Sequence, residues 1–257
     1  MLTVKVVKIG GNELDRPVWV AECARALASI GPAVIVHGGG QAVSAWSQRL
    51  GLPVEKKDGL RVTTPEIAQI VEMVLGGPMN RLMVTALRAA GLDAIGLCGV
   101  DGGLLTAQQI ENGTLGEVGE IVNVRASLLQ SLLLAGLTPV VAPVAPALAA
   151  PNRPLNVNAD QAAAAIAAAL EAQELLFVSD VPGVTVDGVT QPTLAAAEIE
   201  TMIEGGVATG GMAAKLRAAA QALGAGVRAV RIGDLDMFEH ATAGTRLLAA
   251  PTAAQPA

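Results

Sequence analysis

The apolar residues of this chain occur in short runs that alternate with longer segments of helical periodicity. Runs that lack polar alternation are typical of strands buried on both faces of a sheet, and they lie at residues 2–9, 33–36, 94–97, 138–142, 175–178, 227–232 and 245–248. The helical segments lie at residues 17–30, 41–50, 65–75, 79–90, 126–135, 160–170, 194–203 and 212–223. This alternation predicts an α/β fold with a mainly parallel sheet covered on both faces.

Glycine and polar residues punctuate the remaining segments. They predict hairpins at residues 55–62, around Asp58-Gly59, and at 186–190, and a Gly-punctuated β excursion at 102–124. Gly76-Gly77-Pro78 interrupts the helical region, and Asp15 is a candidate cap for the first helix. The tail at 251–257 has no core-forming pattern.

Candidate ligand-binding residues follow the predicted strands. Gly10-Gly11, Gly38-Gly39-Gly40 and Ser179-Asp180 come directly after strands, and ligands on parallel sheets bind beyond the carboxyl ends of the strands. Gly210-Gly211 opens a late helix that carries Lys215. These turns predict an anionic small ligand held by glycine amides and lysines.

The segment 155–161 places two asparagines and one carboxylate just ahead of an alanine-rich helix. Asn158 is a plausible N-cap, and Asp160 then lies in the first helical turn. One interpretation is capping alone, followed by a buried helix. The other places Asp160 between Lys8 and Lys215 in a functional site.

Composition excludes several classes of function. The chain has 257 residues, 52% of them hydrophobic, a net charge of -6, no Tyr and only two Phe and two Trp, which disfavours binding of nucleic acid by a basic stripe or by stacking. Cys23 and Cys98 belong to no metal or disulfide pattern, so a cytoplasmic location is expected. Prolines and polar residues break the apolar stretch at 126–150, and no membrane span is expected.

Two better-known glycine motifs do not occur. The sequence has no GxxxxGK[ST], which excludes a P-loop ATPase at the level of motifs. The stretch from His37 to Val43 lacks the third glycine of the dinucleotide fingerprint, which disfavours a nicotinamide enzyme.

Six motifs, in this order, resemble those of the amino acid kinase family. They are Val7-Lys8-Ile9-Gly10-Gly11, Val34-Ile35-Val36-His37-Gly38-Gly39-Gly40, Lys57-Asp58-Gly59-Leu60-Arg61-Val62-Thr63, Asn156-Val157-Asn158-Ala159-Asp160-Gln161-Ala162, Ser179-Asp180-Val181-Pro182-Gly183, and Gly210-Gly211-Met212 with Lys215. The third and fourth are similar to those of members that phosphorylate N-acetyl-L-glutamate. Members that act on α-aminoadipate, and a catalytically silent regulator on the same fold, remain alternatives.

The resemblance implies a three-layer αβα sandwich with an open, mainly parallel sheet. Residues 1–172 would form a lobe for amino-acid substrate and dimerisation, and residues 173–257 a lobe for nucleotide, on one continuous sheet. The implied reaction transfers the γ-phosphoryl group of ATP to the side-chain carboxylate of N-acetyl-L-glutamate, a step of arginine biosynthesis. Mg²⁺ would be held mainly by ATP oxygens, with a possible water-mediated contact to Asp160 and no protein ligand set.

The resemblance also implies roles for individual residues. Lys8 and Lys215 would stabilise charge on the moving phosphoryl group, and Asp160 would hold both ammonium groups. The N–H groups of four glycines would bind phosphoryl oxygens and substrate: Gly10, Gly11, Gly38 and Gly39. Arg61 would pair with the substrate α-carboxylate, and Asn156 would orient the acetamido group. The implied nucleotide-binding residues are Lys8, Gly10, Gly11, Ser179, Asp180, Gly210 and Lys215.

The helical region 65–90 carries apolar residues on more than one side. They are Ile67, Ile70, Val71, Val74, Met79, Leu82, Met83 and Leu87. This excess predicts a subunit contact, and in relatives of the family this region forms a two-fold dimer. The sequence begins at the first strand, without the helix by which arginine-inhibited relatives form rings. We therefore expect a homodimer that arginine does not inhibit.

Overall fold

The computed structural model describes residues 3–57, 59–110 and 114–249. Asp58, at the first predicted hairpin, and the predicted tail at 251–257 lie outside the described residues. The strands are β1 (Lys5–Ile9), β2 (Ala33–His37), β3 (Lys56–Lys57), β4 (Leu60–Arg61), β5 (Ala94–Leu97), β6 (Leu105–Gln109), β7 (Val118–Val124), β8 (Thr138–Val141), β9 (Val144–Ala147), β10 (Ala150–Val157), β11 (Glu174–Val178), β12 (Thr185–Val186), β13 (Val189–Thr190), β14 (Thr193–Ala195), β15 (Val230–Gly233) and β16 (Thr245–Leu248). The helices are α1 (Pro17–Ala28), α2 (Gly40–Arg49), α3 (Pro65–Val74), α4 (Asn80–Ala89), α5 (Ala126–Leu134), α6 (Ala159–Ala169), α7 (Ile199–Glu204) and α8 (Gly210–Gly224).

The main sheet has the order β14-β16-β15-β11-β1-β2-β8-β5. Every pair of neighbours in it is parallel except β15 with β16. Strand β1 joins the two halves of the chain, because it pairs with β2 on one side and β11 on the other. The carboxyl ends of these three strands therefore lie side by side at the centre of one sheet edge.

Two apolar clusters cover the two faces of this sheet. Alternate residues of β1 point to opposite faces, so that Val6 packs with α5, α6 and α8, whereas Val7 packs with α1, α3 and α4. Phe177 and Leu176 of β11 divide in the same way. The predicted three-layer αβα arrangement with a mainly parallel sheet is confirmed.

Strands β10, β7, β6 and β9 form a small barrel separate from the main sheet. Strands β6 and β7 confirm the predicted β excursion at 102–124. Strands β9 and β10 were not predicted, because the Ala- and Pro-rich sequence at 146–153 has little strand propensity. Antiparallel pairing between β9 and β10 supplies the order that local propensity lacks.

Local predictions near element ends were partly wrong. Residues 193–195 form strand β14 rather than the start of a helix, and α7 begins only at Ile199. Asp15 does not cap α1: it ends a 3₁₀ turn at Glu13–Asp15, and Arg16 takes the cap position without a side-chain bond. The predicted break at residues 76–78 is confirmed, with Gly77 in a non-helical conformation between α3 and α4.

The apolar excess predicted for the region 65–90 is largely absent from the surface. Of the eight apolar residues named for it, seven are buried within the chain, against β1, β2 and α1, and only Leu82 is exposed. The kinked helix pair packs on more neighbours than one sheet face, which a sequence pattern does not show. Met73 and Leu82, at 48% and 38% exposed, are the apolar side chains of this region that are available for a subunit contact, and the homodimer stays a prediction.

Among the described residues, no helix is long and apolar enough to cross a membrane.

Candidate active site

Two glycine turns meet at the carboxyl ends of β1 and β2. A Cβ atom added at Gly11 would lie 2.4 Å from the backbone nitrogen of Gly39, and one added at Gly38 would lie 3.0 Å from that of Gly11. The two turns therefore touch backbone to backbone, and any side chain at Gly11 would force them apart. This contact explains the glycines that follow both strands.

Only two of the four predicted glycine N–H groups remain available for a ligand. The Gly10 N–H donates to the Val178 carbonyl at 3.0 Å, and the Gly38 N–H donates to the Ile9 carbonyl at 3.0 Å. Both bonds continue the parallel ladder by one residue, so these two N–H groups are engaged within the protein. No acceptor in the described part of the chain takes the N–H of Gly11 or Gly39.

Lys8 and Asp160 form a buried ion pair at the same edge. Lys8 Nζ lies 2.8 Å from Asp160 Oδ1, and the residues are 5% and 6% exposed. Asn158 caps α6, because its Oδ1 accepts the N–H groups of Asp160 and Gln161 at 2.8 and 3.2 Å. Capping and ion pairing thus occur together, and the cap places Asp160 in the first turn of α6, facing β1.

Lys215, in the second turn of α8, lies close enough to Lys8 and Asp160 to interact electrostatically with both. Burial lowers the pKa of Lys215, and the nearby charge of Lys8 lowers it further. Carboxylates that oppose this shift are Asp160, Glu13 and Asp180. Gly210, the first residue of α8, has φ +52°, which a glycine adopts at little cost. The structure therefore gathers the two predicted lysines around Asp160.

A cleft of about 210 Å³ opens in front of Lys8 and Asp160. Predicted residues that line it are Lys8, Gly11, Gly38, Gly39, Arg61, Asn156 and Asp160. The cleft does not include Gly10, Ser179, Asp180, Gly210 or Lys215. The predicted residues therefore form two groups, one in the cleft and one around Lys215, with Lys8 and Asp160 between them.

Arg61 is held at the wall of the cleft with part of its guanidinium unused. Its Nη2 donates to the Gly40 carbonyl and to Ser44 Oγ, both at 2.7 Å. Its Nη1 is buried and has no partner among the described residues, and burial lowers the pKa of Arg61. Asn156 Nδ2 donates to Thr63 Oγ1 at 3.1 Å, on the same wall. A buried cationic donor without a partner favours an anionic ligand.

Ser179 and Asp180 follow β11, next to the Gly10 turn. The Ser179 N–H donates to the Gly233 carbonyl at 2.9 Å, whereas its buried Oγ has no partner among the described residues. Asp180 is exposed and acts electrostatically on Lys215. Both residues thus lie on the Lys215 side of the site.

Glu13 was not predicted as part of this site. It is 3% exposed, its Oε2 has no hydrogen-bond partner among the described residues, and a Cβ atom added at Gly10 would collide with that oxygen. A glutamate in a short polar turn is usually solvated, so the residue type did not indicate that Glu13 is buried in the site. The available indication was its position two residues after Gly11, beside the loop that carries the site.

His37 was not predicted to take part in the site, and it lies behind the cleft rather than in its lining. Its ring is fully buried behind the Gly38 turn, and burial lowers its pKa to about 4.

Among the described residues, no group of three or more His, Cys, Asp or Glu side chains could hold a metal ion. The site therefore combines two lysines, one arginine and free backbone amides, an arrangement suited to anions.

Comparisons with known proteins agree with this geometry. A model of the amino acid kinase family matches residues 3–234. The acetylglutamate kinase of Chloroflexus aurantiacus is 47% identical over 238 residues, which are 91% of this chain and 93% of that protein. The acetylglutamate kinase of Roseiflexus castenholzii is 46% identical over 241 residues, 92% of each. The solved structure of smu.665 from Streptococcus mutans UA159 superposes with a TM-score of 0.84 at 28% identity, covering 95% of this chain and 98% of that one. The chain belongs to the amino acid kinase family.

Proposed function

We propose that the protein transfers the γ-phosphoryl group of ATP to the side-chain carboxylate of N-acetyl-L-glutamate, a step of arginine biosynthesis. The observation that carries this proposal is the cleft, whose lining brings together Arg61, with an unpartnered guanidinium nitrogen, and the Lys8–Asp160 pair. A substrate with two carboxylates would place one at each end. The acetylglutamate kinases similar to this chain at 46–47% identity support the choice of substrate.

Such a reaction needs little acid–base chemistry from the protein. A substrate side-chain carboxylate, with an ordinary pKa of about 4.3, is already ionised at neutral pH and needs no general base. The transfer instead needs two anions brought into line and the charge of the moving group stabilised. Lys8 and Lys215 would supply that charge, and Asp160, already paired with Lys8, would position both.

The walls of the cleft would orient the amino-acid substrate. Arg61 would bind the α-carboxylate through Nη1, because Nη2 is already bound to Gly40 and Ser44. Asn156 would contact the acetamido group. The N–H groups of Gly11 and Gly39 would bind oxygens at the junction between substrate and phosphoryl group, since no acceptor among the described residues takes them.

The nucleotide would bind on the Lys215 side of the site, in the lobe formed by residues 173–257. The amino-acid substrate and the subunit contact would belong to the lobe formed by residues 1–172. The start of α8 at Gly210 and the free Oγ of Ser179 suit phosphate oxygens there. Asp160 is the one carboxylate among the described residues that line the cleft, which fits Mg²⁺ carried by ATP oxygens rather than by a protein cage. When bound, Mg²⁺ would neutralise charge on the phosphate chain.

A hydroxylamine trap for acyl phosphates tests this function. The purified protein is incubated with ATP, Mg²⁺ and, separately, N-acetyl-L-glutamate, glutamate, aspartate or α-aminoadipate. We expect hydroxamate with N-acetyl-L-glutamate at least 10-fold above the other acids, because only it offers both an acetamido group to Asn156 and a second carboxylate to Arg61. Preference for α-aminoadipate would assign the related kinase activity, and binding without hydroxamate would indicate a silent regulator.

We also propose that the protein works in the cytoplasm as a homodimer. Met73 and Leu82 are the exposed apolar residues of the α3–α4 region. Light scattering of the wild type and of Leu82→Glu measures the mass directly. A dimer mass that Leu82→Glu lowers to that of a monomer would place the contact on α4, whereas a wild-type monomer would contradict the prediction.

A further inference from the structure

A buried histidine lies directly behind the free amide of Gly39. His37 ends β2, is 0% exposed, and contacts the carbonyl of Gly38 through Nδ1 at 2.8 Å. Its other ring nitrogen lies 3.2 Å from the side-chain nitrogen of Asn80, the first residue of α4. The histidine therefore connects the Gly38 turn with the kinked helix pair beneath it.

The neighbours of Asn80 determine which nitrogen of His37 carries the proton. Asn80 Nδ2 lies 2.9 Å from the carbonyl of Val140, and its Oδ1 accepts from Arg81 Nη2 at 2.8 Å. A carbonyl can only accept, so this orientation of the amide is fixed, and Nδ2 also donates to Nε2 of His37. Nε2 is therefore the acceptor. The proton of the neutral ring is on Nδ1 and is donated to Gly38.

This hydrogen bond determines the direction of the Gly39 N–H. The Gly38 carbonyl and the Gly39 N–H belong to one planar trans peptide, and they point in opposite directions. With the carbonyl bound to the buried ring, the N–H must face away from the core. Gly39 lines the cleft, and its nitrogen lies against Gly11, whose N–H also has no acceptor among the described residues.

We propose that His37 is a positioning residue, whose Nδ1–H fixes the Gly38–Gly39 peptide so that the Gly39 N–H points at the reacting oxygens in the cleft. This inference rests on the phosphoryl transfer proposed above and adds a residue to it. His37 itself touches neither substrate. Without it, the peptide can turn and present a carbonyl to an anionic group, which repels it.

The surroundings of His37 suit a fixed, neutral donor. Burial lowers its pKa to about 4, so the ring holds a single proton at neutral pH. The one charged side chain that reaches this network, among the described residues, is Arg81, through Asn80. The bond to the Gly38 carbonyl raises the pKa of His37, but burial outweighs it.

A matched pair of substitutions separates this role from simple packing. Asparagine places its amide nitrogen near the position of Nδ1, and glutamine places its own near Nε2. His37→Asn therefore keeps the donor to Gly38, whereas His37→Gln keeps only the contact with Asn80. We expect His37→Asn to retain kcat within about 5-fold, and His37→Gln to lose about 10²-fold in kcat with KM for both substrates unchanged.

Wild-type turnover in the hydroxamate assay is measured first. If the wild type shows no turnover, the proposed function is overturned. The tautomer of the His37 ring can still be measured in that case, because that measurement does not depend on activity. Given wild-type turnover, equal losses in the two variants, or a loss confined to KM, would overturn the positioning role.

Nitrogen-15 spectroscopy tests the same inference without activity. The chain has two histidines, His37 and His240, so a long-range proton–nitrogen spectrum of the labelled protein is simple, and His240→Asn, at the exposed histidine, assigns it. We expect a neutral His37 ring with a protonated Nδ1 at pH 7. A ring protonated at Nε2, or at both nitrogens, would overturn the inference even if both variants failed to fold.

Discussion

Acidification should destabilise this fold through His37. The ring is fully buried and its pKa is lowered from the ordinary 6.5 to about 4, mainly because burial penalises its charged form. In the unfolded chain the ring takes up a proton near pH 6.5. Between these two values the unfolded state binds more protons than the folded state, so the free energy of unfolding falls as the pH falls.

The size of the effect follows from the two pKa values. Each pH unit between the two pKa values changes the free energy of unfolding by about 1.4 kcal/mol. Protonation of His37 should therefore lower this free energy by about 2 kcal/mol at pH 5 and by about 3 kcal/mol at pH 4, relative to pH 7. Below pH 4 the folded state is protonated as well, and no further loss arises from this residue. A loss of this size is a large fraction of the stability of a typical domain.

Urea unfolding at pH 7, 5 and 4 measures this contribution. Carboxylates also titrate in this range, so the quantity of interest is the difference in pH dependence between the wild type and His37→Asn, which has no titrating group there. His240→Asn, at the exposed histidine, is the matched control and should keep the wild-type dependence. If His37→Asn lost stability with acid as steeply as the wild type, the assignment of a neutral buried ring would be wrong.

Three further predictions concern the site. Lys215→Ala should lower kcat by about 10²- to 10³-fold at normal stability. Lys8→Ala should lower kcat in the same way and should also lower the free energy of unfolding in urea by about 3–5 kcal/mol, because it leaves Asp160 buried without its partner. Equal stabilities of the two variants would contradict this. Glu13→Gln removes a carboxylate that raises the pKa of Lys215, so the alkaline fall in kcat should move to lower pH; an unchanged pH profile would refute the coupling. Gly11→Ala should cost about 1–3 kcal/mol by overpacking against the Gly38 turn, whereas Gly224→Ala, which meets no atom within 4 Å, should cost nothing in thermal unfolding.

The sequence predicted much of the fold, because its elements follow local patterns. Uninterrupted apolar runs gave β1, β2, β8 and β11, and the Gly76-Gly77-Pro78 break gave the kink between α3 and α4. The cap at Asn158 was also local, since its side chain bonds residues two and three positions later. Predictions failed where strand pairing outweighed local propensity: β9 and β10 pair with each other, and β14 pairs with the distant β16.

For the candidate site, the sequence by itself determined which residues stand at the strand ends, and the motifs indicated which of them carry charge. Only the tertiary structure decided which groups are free to act. The N–H groups of Gly10 and Gly38 are bound to Val178 and Ile9, while those of Gly11 and Gly39 are not. Hydrogen bonds of this kind depend on the register between strands far apart in sequence, which no local pattern encodes. The burial of Glu13 and His37 was hidden for the same reason, because distant elements, rather than residue type, cover these two side chains.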